Sequence, residues 1–221
     1  MKERLSEEVV AMRAAAELRP GDYCNLGVGV PSLCALYVPE GVYFEAENGC
    51  LGYGPLLTED DWQKADLGLI DAAGRFLSPA PGMSFPDMLT SFAMIRSGRL
   101  ISVMGGLQVS EKGDLANYSV GEGDQYPLIG GSMELAWGAK RLIVAMTHTT
   151  ADGKPKIVKE LSLPPTAKES VDLVVTDLAV IEVTKEGLLL KEIAPGWTVE
   201  EVQALTEPRL IVAEDLKEIE L

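Results

Sequence analysis

The sequence has few basic residues for its length. Its 221 residues include 19 Lys and Arg against 34 Asp and Glu, which gives a formal charge of −15. Proteins bind nucleic acids and anionic lipids by matching their phosphates with Lys and Arg, so this charge argues against both kinds of partner. A polyphosphate ligand is not excluded, because it needs only a few local cations and a partner chain could supply some of them.

Cysteine and histidine are also scarce. Cys24, Cys34 and Cys50 show no CxxC spacing, which predicts neither a disulfide framework nor a zinc site. They stand in apolar runs, where a cysteine is usually a small buried hydrophobe. His148 is the one histidine, and no GxSxG motif accompanies it. We therefore expect His148 to be structural, expect no metal site, and find no sign of a serine-hydrolase triad.

Long apolar segments are absent from the sequence as well. No run approaches the length that crosses a membrane, and the charged start lacks the apolar core of a signal peptide. These features predict a cytoplasmic, reduced protein with no membrane contact.

What the sequence does contain is an alternation of short apolar strands with helices. The predicted strands are residues 23–26, 42–44, 67–71, 100–104, 142–146, 171–176, 180–183, 188–193 and 210–213. The predicted helices are residues 6–18, 31–37, 85–96 and 198–205, the last of which opens on a capping box. Several strands are apolar on both faces, which is typical of buried parallel strands. The pattern predicts an α/β fold with a mixed, largely parallel sheet flanked by helices, in one domain over residues 1–221.

Glu47 is the side chain best placed for chemistry. It comes just past the strand at residues 42–44, in a turn with Asn48 and Gly49. Ligands of open α/β sheets bind at the carboxyl ends of the strands. The glycine lets a substrate approach the backbone closely, and we expect its amide to be free to donate. From spacing alone, however, a Glu in a turn is more often only solvated.

Two glycine-rich turns also follow predicted strands. Gly27 and Gly29 resemble an anion-binding turn at a helix N-terminus. The third glycine of a dinucleotide-binding fingerprint is missing, and a tight strand-to-helix turn explains the pair equally well. Gly105 and Gly106 follow the strand at residues 100–104. Their N–H groups could polarise a carbonyl, or the pair could mark a bulge or a close crossing of two segments.

Several segments, in order along nearly the whole chain, resemble the beta-type chain of family I CoA-transferases, which comprise 3-oxoacid, acetoacetate and 3-oxoadipate enzymes. The matching segments are residues 25–31 (NLGVGVP), 47–49 (ENG), 51–55 (LGYGP), 105–110 (GGLQVS), 113–117 (GDLAN), 146–150 (MTHTT), 176–180 (TDLAV) and 192–196 (EIAPG). The segment at residues 47–49 is the most specific of them.

The resemblance implies the CoA-transferase fold, which is related to that of sugar-phosphate isomerases. It also implies that Glu47 carries the acyl group and then CoA in an exchange between two carboxylic acids. CoA would then be a substrate, with no tightly bound cofactor. An alpha subunit of the same fold would be the partner in a hetero-oligomer. Contacts with substrate or an oxyanion are expected from turn residues of the matching segments, which are Asn25, Gly27, Gly29, Asn48, Gly49, Gly105 and Gly106.

Three departures from the family pattern bear on the substrate. Ala46 stands where the family usually has Ser, Cys50 where it has an aliphatic residue, and Ser110 where it tends to have Asp. Two other functions fit the same residues: an acyl-CoA hydrolase that uses Glu47, and a non-catalytic sensor protein on the same scaffold. Acetoacetate with succinyl-CoA or acetyl-CoA is the first expectation for the acid pair, and 3-oxoadipate is the second.

Overall fold

The computed structural model describes residues 2–54, 57, 59–124 and 127–220. Within these residues a nine-stranded sheet carries helices on both faces. Pro55, the last residue of one matching segment, lies outside the described residues.

The strands and helices have the following bounds. The strands are β1 Tyr23–Leu26, β2 Tyr43–Ala46, β3 Cys50–Tyr53, β4 Leu100–Met104, β5 Gln108–Ser110, β6 Leu115–Ala116, β7 Arg141–Met146, β8 Ile157–Val158, β9 Leu173–Thr176, β10 Ala179–Thr184, β11 Gly187–Ile193 and β12 Leu210–Glu218. The α-helices are α1 Glu7–Ala15, α2 Val30–Leu33, α3 Met88–Ile95, α4 Ser132–Trp137 and α5 Val199–Ala204, with 3₁₀ turns at Cys34–Leu36 and Glu59–Lys64.

The large sheet is mixed, with a parallel centre. Its order is β12-β11-β10-β9-β7-β4-β1-β2-β3. The run from β2 through β1, β4 and β7 to β9 is parallel throughout, and the antiparallel pairs are β2–β3, β9–β10 and β10–β11. A separate small sheet joins β6, β5 and β8. The predicted fold class, an α/β fold with a mixed, largely parallel sheet flanked by helices, is therefore confirmed.

Two apolar cores lie on opposite faces of the sheet. One core packs α1 against side chains such as Ile101 and Val103, and the other packs α3, α4 and α5 against side chains such as Leu100 and Leu142. Successive residues of β4 and β7 alternate between the two cores because side chains of a strand point to opposite faces. This double coverage explains the nearly continuous apolar sequences of the central strands.

Several predicted boundaries are right. Strands β1 and β4 lie where the sequence predicts them, and α5 begins at a capping box formed by Thr198 and Glu201. Helix α1 is capped by Ser6, whose Oγ accepts from the Val9 amide.

The predicted strand at residues 67–71 is wrong. Those residues form turns, and only Ile70 bridges briefly to Phe76. Asp66 and Asp71 accept hydrogen bonds from backbone amides two to four residues further along, which competes with strand pairing. The predicted helix at residues 85–96 begins later than expected, at Met88, because Asp87 caps it. Strands β3, β5, β6 and β8 were not predicted.

Candidate active site

Glu47 lies in the tight turn between β2 and β3, at the carboxyl end of the parallel strands. The strands β2, β1 and β4 run side by side in one direction, so Glu47, Gly27 and Gly105 each follow a strand at the same edge of the sheet. Gly49 has a φ of +102°, which favours glycine, and a Cβ there would overlap the Pro86 carbonyl oxygen. The turn that carries Glu47 therefore has a fixed shape that requires this glycine.

Asn25 connects Glu47 to a second carboxylate, Glu45. Asn25 and Glu45 are register partners on the parallel strands β1 and β2, so their side chains are neighbours on one face of the sheet. The Asn25 Nδ2 group lies 3.1 Å from Glu47 Oε2, 3.0 Å from Glu45 Oε2 and 3.1 Å from the Glu45 carbonyl oxygen. One side-chain amide thus serves both carboxylates.

Glu45 is almost completely buried, with 2% of its surface exposed. Its Oε1 accepts a 2.7 Å hydrogen bond from the hydroxyl of Ser91, a buried residue of α3. Burial raises the pKa of the Glu45 carboxyl, the hydrogen bonds from Asn25 and Ser91 oppose that rise, and the charge of Glu47 adds to it. Sequence reasoning missed Glu45; a carboxylate between the buried residues Phe44 and Ala46 was the available signal.

A cavity of about 250 Å³ opens beside Glu47. Four of the predicted site residues line it, namely Asn25, Gly27, Glu47 and Gly105. Four others do not line it, namely Gly29, Asn48, Gly49 and Gly106. The structure therefore brings half of the predicted set together around Glu47.

The backbone amides of the predicted glycines differ in whether they already donate a hydrogen bond within the protein. The Gly49 amide donates to the Ala46 carbonyl oxygen at 2.9 Å, so the prediction that it is free to donate is wrong. The Gly27 amide donates to the Val103 carbonyl oxygen, also at 2.9 Å. In the described part of the chain, the amides of Gly105 and Gly106 donate to no protein acceptor. Of these four amides, Gly105 alone is both free and next to the cavity.

The remaining predicted residues have other roles. A Cβ on Gly106 would come within 2.8 Å of Val144 and 2.9 Å of Met146, so this glycine permits a close crossing of segments. Gly29 is exposed, has a φ of +81° and precedes α2. Asn48 is exposed and donates to the Ile70 carbonyl oxygen at 2.9 Å. Asn48 thereby ties the turn of Glu47 to the loop opposite.

Gly131 was not predicted, although a side chain at this position would contact Glu47. A Cβ on Gly131 would lie 3.2 Å from Glu47 Cγ and 3.4 Å from Phe92 Cζ. Its φ of −83° is open to any residue, so close approach explains the glycine better than backbone conformation does. The Gly-Gly pair just before α4, at residues 130 and 131, was the signal that could have found it.

Arg75 is the cation of the cavity wall, since no other basic residue of the described chain lines the cavity. Its Nε lies 2.6 Å from Asp71 Oδ2, and its Nη2 lies 2.5 Å from Asp71 Oδ2 and 3.3 Å from the Leu26 carbonyl oxygen. Its Nη1 is buried and, among the described residues, has no hydrogen-bond partner. Asp71 therefore forms an ion pair with Arg75 through two of the three guanidinium nitrogens. Sequence reasoning missed the pair because the segment was predicted to be a strand.

His148 is structural, as expected. It is completely buried, its ring nitrogens lie 2.9 Å from the hydroxyls of Thr176 and Thr206, and it does not line the cavity. Burial lowers the pKa of His148 to about 4, so the ring is neutral at physiological pH.

The three cysteines are free and buried, and no disulfide joins them. Burial raises the pKa of Cys34 to about 12 and that of Cys50 to about 11. Within the described ranges, no three His, Cys, Asp or Glu side chains are grouped as a metal site requires. None of the helices in those ranges has the length and apolar character needed to cross a membrane.

Comparison with known proteins shows which family and which proteins this chain is similar to. A family model described as Coenzyme A transferase matches residues 8–205. The beta chain of the acetate CoA-transferase of Escherichia coli strain K12 is 41% identical over 96% of this chain and 96% of its own length. The B-type chain of the 3-oxoadipate CoA-transferase of Acinetobacter baylyi is 40% identical over 95% of this chain and 97% of its own length.

Solved structures share the fold. An acyl-CoA transferase of Escherichia coli O157:H7, crystallised as a thioester complex with CoA, superposes with a TM-score of 0.76 over 100% of this chain at 21% identity. This chain covers 44% of that longer chain. A likeness at this identity demonstrates a common fold and no more.

Proposed function

Because this chain belongs to the coenzyme A transferase family, we propose that it is the catalytic, beta-type chain of an enzyme that moves CoA between two carboxylic acids. Glu47 is the proposed nucleophile. One observation carries this assignment: Glu47 lies at the carboxyl edge of the parallel strands, faces a small cavity and is held by a buried amide.

The proposed reaction passes through two covalent states of Glu47. A carboxylate oxygen of Glu47 attacks the thioester carbonyl of an acyl-CoA, the carbon–sulfur bond breaks, and CoA leaves as the thiolate. The sulfur then attacks the Glu47 carbonyl of the resulting anhydride and expels the first acid as its carboxylate. Glu47 now holds CoA as a thioester, and a second acid reverses both steps. Covalent catalysis of this kind divides one difficult exchange into easier ones.

A carboxylate suits this exchange better than a hydroxyl or a thiol. The anhydride that it forms is as reactive as the thioester that it consumes, so the incoming and outgoing groups can exchange in both directions. A serine ester would be too stable for a weakly nucleophilic acid to open. The free Gly105 amide at the cavity wall is a candidate donor to the oxyanion of each step, an interaction worth about 3 kcal/mol.

The size of the cavity favours small acids. Pockets for complete ligands usually span about 300 to 1,000 Å³, whereas this cavity has about 250 Å³. It suits the reacting end of a thioester with a short acyl group. We propose acetoacetate with succinyl-CoA or acetyl-CoA as the pair, with 3-oxoadipate as the second choice.

An alpha subunit completes the proposed enzyme. CoA carries several phosphates, but the chain has a charge of −15. Among its described residues, Arg75 is the one basic residue of the cavity wall, and it forms an ion pair with Asp71. The relatives described above are each named as one of the chains of a CoA-transferase. We propose that an alpha subunit of the same fold supplies the missing cations in a cytoplasmic α₂β₂-like assembly, and that the isolated beta-type chain self-associates.

The test is to trap the thioester on Glu47. The chain is co-expressed with its alpha subunit, incubated with acetoacetyl-CoA and treated with borohydride, which reduces a glutamyl thioester to an alcohol. Peptide mass spectrometry then locates the change, and Glu47→Gln is the matched control. Modification of Glu47 alone is the expected result. An unmodified Glu47 in a complex that binds CoA would contradict the mechanism, and CoA release that needs no acceptor acid would indicate a hydrolase.

A further inference from the structure

The amide of Asn25 faces more acceptors than it has hydrogens. Its two N–H groups have three oxygens within 3.1 Å, which are the carbonyl oxygen and Oε2 of Glu45 and the Oε2 of Glu47. A side-chain amide can fully serve only two acceptors. The two carboxylates therefore share one donor, and each weakens the other's hydrogen bond.

Acylation of Glu47 would end this competition. An ionised carboxylate attracts an N–H group about twice as strongly as a neutral acceptor does. Once Glu47 becomes an anhydride or a thioester, it has no charge, and the shared N–H can turn fully to Glu45. The repulsion between the two carboxylates ends at the same moment.

We propose that Glu45 is a positioning residue that takes over the Asn25 hydrogen bond when Glu47 is acylated, and so stabilises the covalent states. This inference rests on the function proposed above. Ser91 holds the other oxygen of Glu45 at 2.7 Å, so the Glu45 carboxylate stays in place while its partner changes. Glu45 also lines the cavity beside Glu47, and in the proposed role it acts on Glu47 through Asn25 and through its own charge.

The electrostatic surroundings of Glu45 agree with this role. Burial raises the pKa of Glu45, and the charge of Glu47 raises it further. Other titratable groups near Glu45 include Cys24 on β1 and Cys50 and Tyr53 on β3, and burial raises the pKa of all three, so they are neutral. Arg75 and Asp71 line the same cavity as Glu45 and form an ion pair with each other.

Two further groups lie near Glu45. Helix α3 contributes the uncharged Ser91, and Arg99 lines with Glu45 a second cavity of about 450 Å³. Glu47 is thus the neighbouring anion whose charge changes during the proposed reaction.

The proposal implies a defined pH dependence. Loss of charge at Glu47 removes a cause of the raised Glu45 pKa, so acylation lowers the pKa of Glu45. By reciprocity, ionisation of Glu45 favours acylation. The equilibrium fraction of enzyme that carries CoA on Glu47 therefore rises with pH while Glu45 loses its proton. The released acid is already ionised in this range and adds no proton change of its own.

The experiment measures that fraction in the complete complex with the alpha subunit. Wild type, Glu45→Gln and Glu182→Gln are equilibrated with acetoacetyl-CoA and acetoacetate from about pH 5 to about pH 8, then trapped with borohydride. A glutamine at position 45 can accept from Asn25 and donate to Ser91, so it keeps the network satisfied without the charge. Glu182, on β10, is a partly exposed carboxylate of the same sheet and is the matched control.

We expect Glu45→Gln to lower the loaded fraction about tenfold at neutral pH, as loss of a charged hydrogen bond implies, and to abolish its rise with pH. Glu182→Gln should behave as wild type. Equal loading and equal pH dependence in Glu45→Gln would overturn the role of Glu45 alone. An unlabelled wild-type Glu47 would overturn the proposed function and this inference together.

Ser91→Ala provides a second, independent measurement should Glu45→Gln fold poorly. It removes a donor that favours the ionised form of Glu45, so the rise in loading should move to higher pH. A profile that matches the wild type in Ser91→Ala would also overturn the proposal.

Discussion

The α carbon of Gly131 faces the side chain of Glu47 so closely that a methyl group on Gly131 would lie 3.2 Å from Glu47 Cγ and 3.5 Å from Glu47 Oε1. The turn before α4 thereby limits where the carboxylate can lie on one side. Asn25 holds the same carboxylate by a hydrogen bond. Glu47 is thus located by two separate segments of the chain, both outside its own hairpin.

Replacement of Gly131 by alanine should therefore impair the chemistry and leave the fold intact. The added methyl displaces Glu47, and misplacement of a reacting group can cost up to about a hundredfold in rate. Its φ of −83° accepts alanine without strain. We expect kcat to fall about tenfold, by the same rough scale, with a thermal midpoint that is not lowered. An unchanged kcat would show that Glu47 does not need this space.

The glycine after Asn48 should be far less tolerant of substitution. Gly49 and Gly82 both have positive φ, but a Cβ on Gly49 would overlap the Pro86 carbonyl oxygen, whereas a Cβ on Gly82 would meet nothing within 4 Å. Strain alone costs about 1 to 2 kcal/mol, and a backbone overlap adds about 1 to 3 kcal/mol. Urea unfolding should find Gly49→Ala clearly less stable than Gly82→Ala. Equal losses would contradict the described turn.

Glu47→Gln should be inactive yet at least as stable as the wild type. Glutamine keeps an oxygen that can accept from Asn25, and it removes the charge that opposes ionisation of Glu45. Relief of such strain at functional sites commonly adds about 0.5 to 2 kcal/mol to the free energy of unfolding. Chemical unfolding at neutral pH measures the difference. A less stable variant would show that Glu47 contributes to the fold as well.

His148 should make the protein less stable in mild acid. Burial lowers the pKa of His148 from 6.5 to about 4 on folding. Between these two pH values the imidazole is protonated in the unfolded chain and neutral in the folded chain. The stability from this group is complete above pH 6.5 and is lost as the pH falls towards 4. The loss amounts to about 3 kcal/mol at most.

The measurement compares the free energy of unfolding of the wild type and of His148→Gln as the pH falls from 6.5 towards 4. The loss of stability that His148 causes should be absent in His148→Gln. The pKa of Glu45 is raised, so its contribution to the free energy of unfolding changes with pH in the opposite direction. Both proteins contain Glu45, so the difference between their free energies of unfolding isolates the effect of His148. Parallel pH profiles for the two proteins would contradict the prediction.

The central strands were predictable because a strand that is buried on both faces needs a nearly continuous apolar sequence. Strand β4 is buried at every position and, apart from Ser102, is apolar on both faces, as is typical of buried parallel strands. Residues 67–71 were mispredicted because the side chains of Asp66 and Asp71 satisfy backbone amides, a competition that an apolar pattern does not record. The strands of the small sheet have only two or three residues, too few for any periodicity.

The candidate site was predictable in part for a similar reason. Asn25, Gly27, Glu47 and Gly105 follow or end strands of one sheet edge, so their convergence follows from the parallel order. Gly131 lies close to Glu47 although the two are far apart in sequence, and a local sequence pattern does not predict such a contact. The amide of Gly49 was misjudged because a turn hydrogen bond occupies it. Contacts between segments therefore account for most of what the sequence left open.

The buried thiols have a consequence for the fidelity of the proposed reaction. Free CoA is itself a thiol, and an activated acyl group can migrate to any thiolate within reach. Burial keeps Cys24, Cys34 and Cys50 protonated at neutral pH. None of these three cysteines is therefore a thiolate that could take the group proposed to be carried by Glu47, even though Cys24 is next to Asn25 in sequence. In the proposed reaction, an activated group on Glu47 would therefore not be lost to a thiolate of these three cysteines.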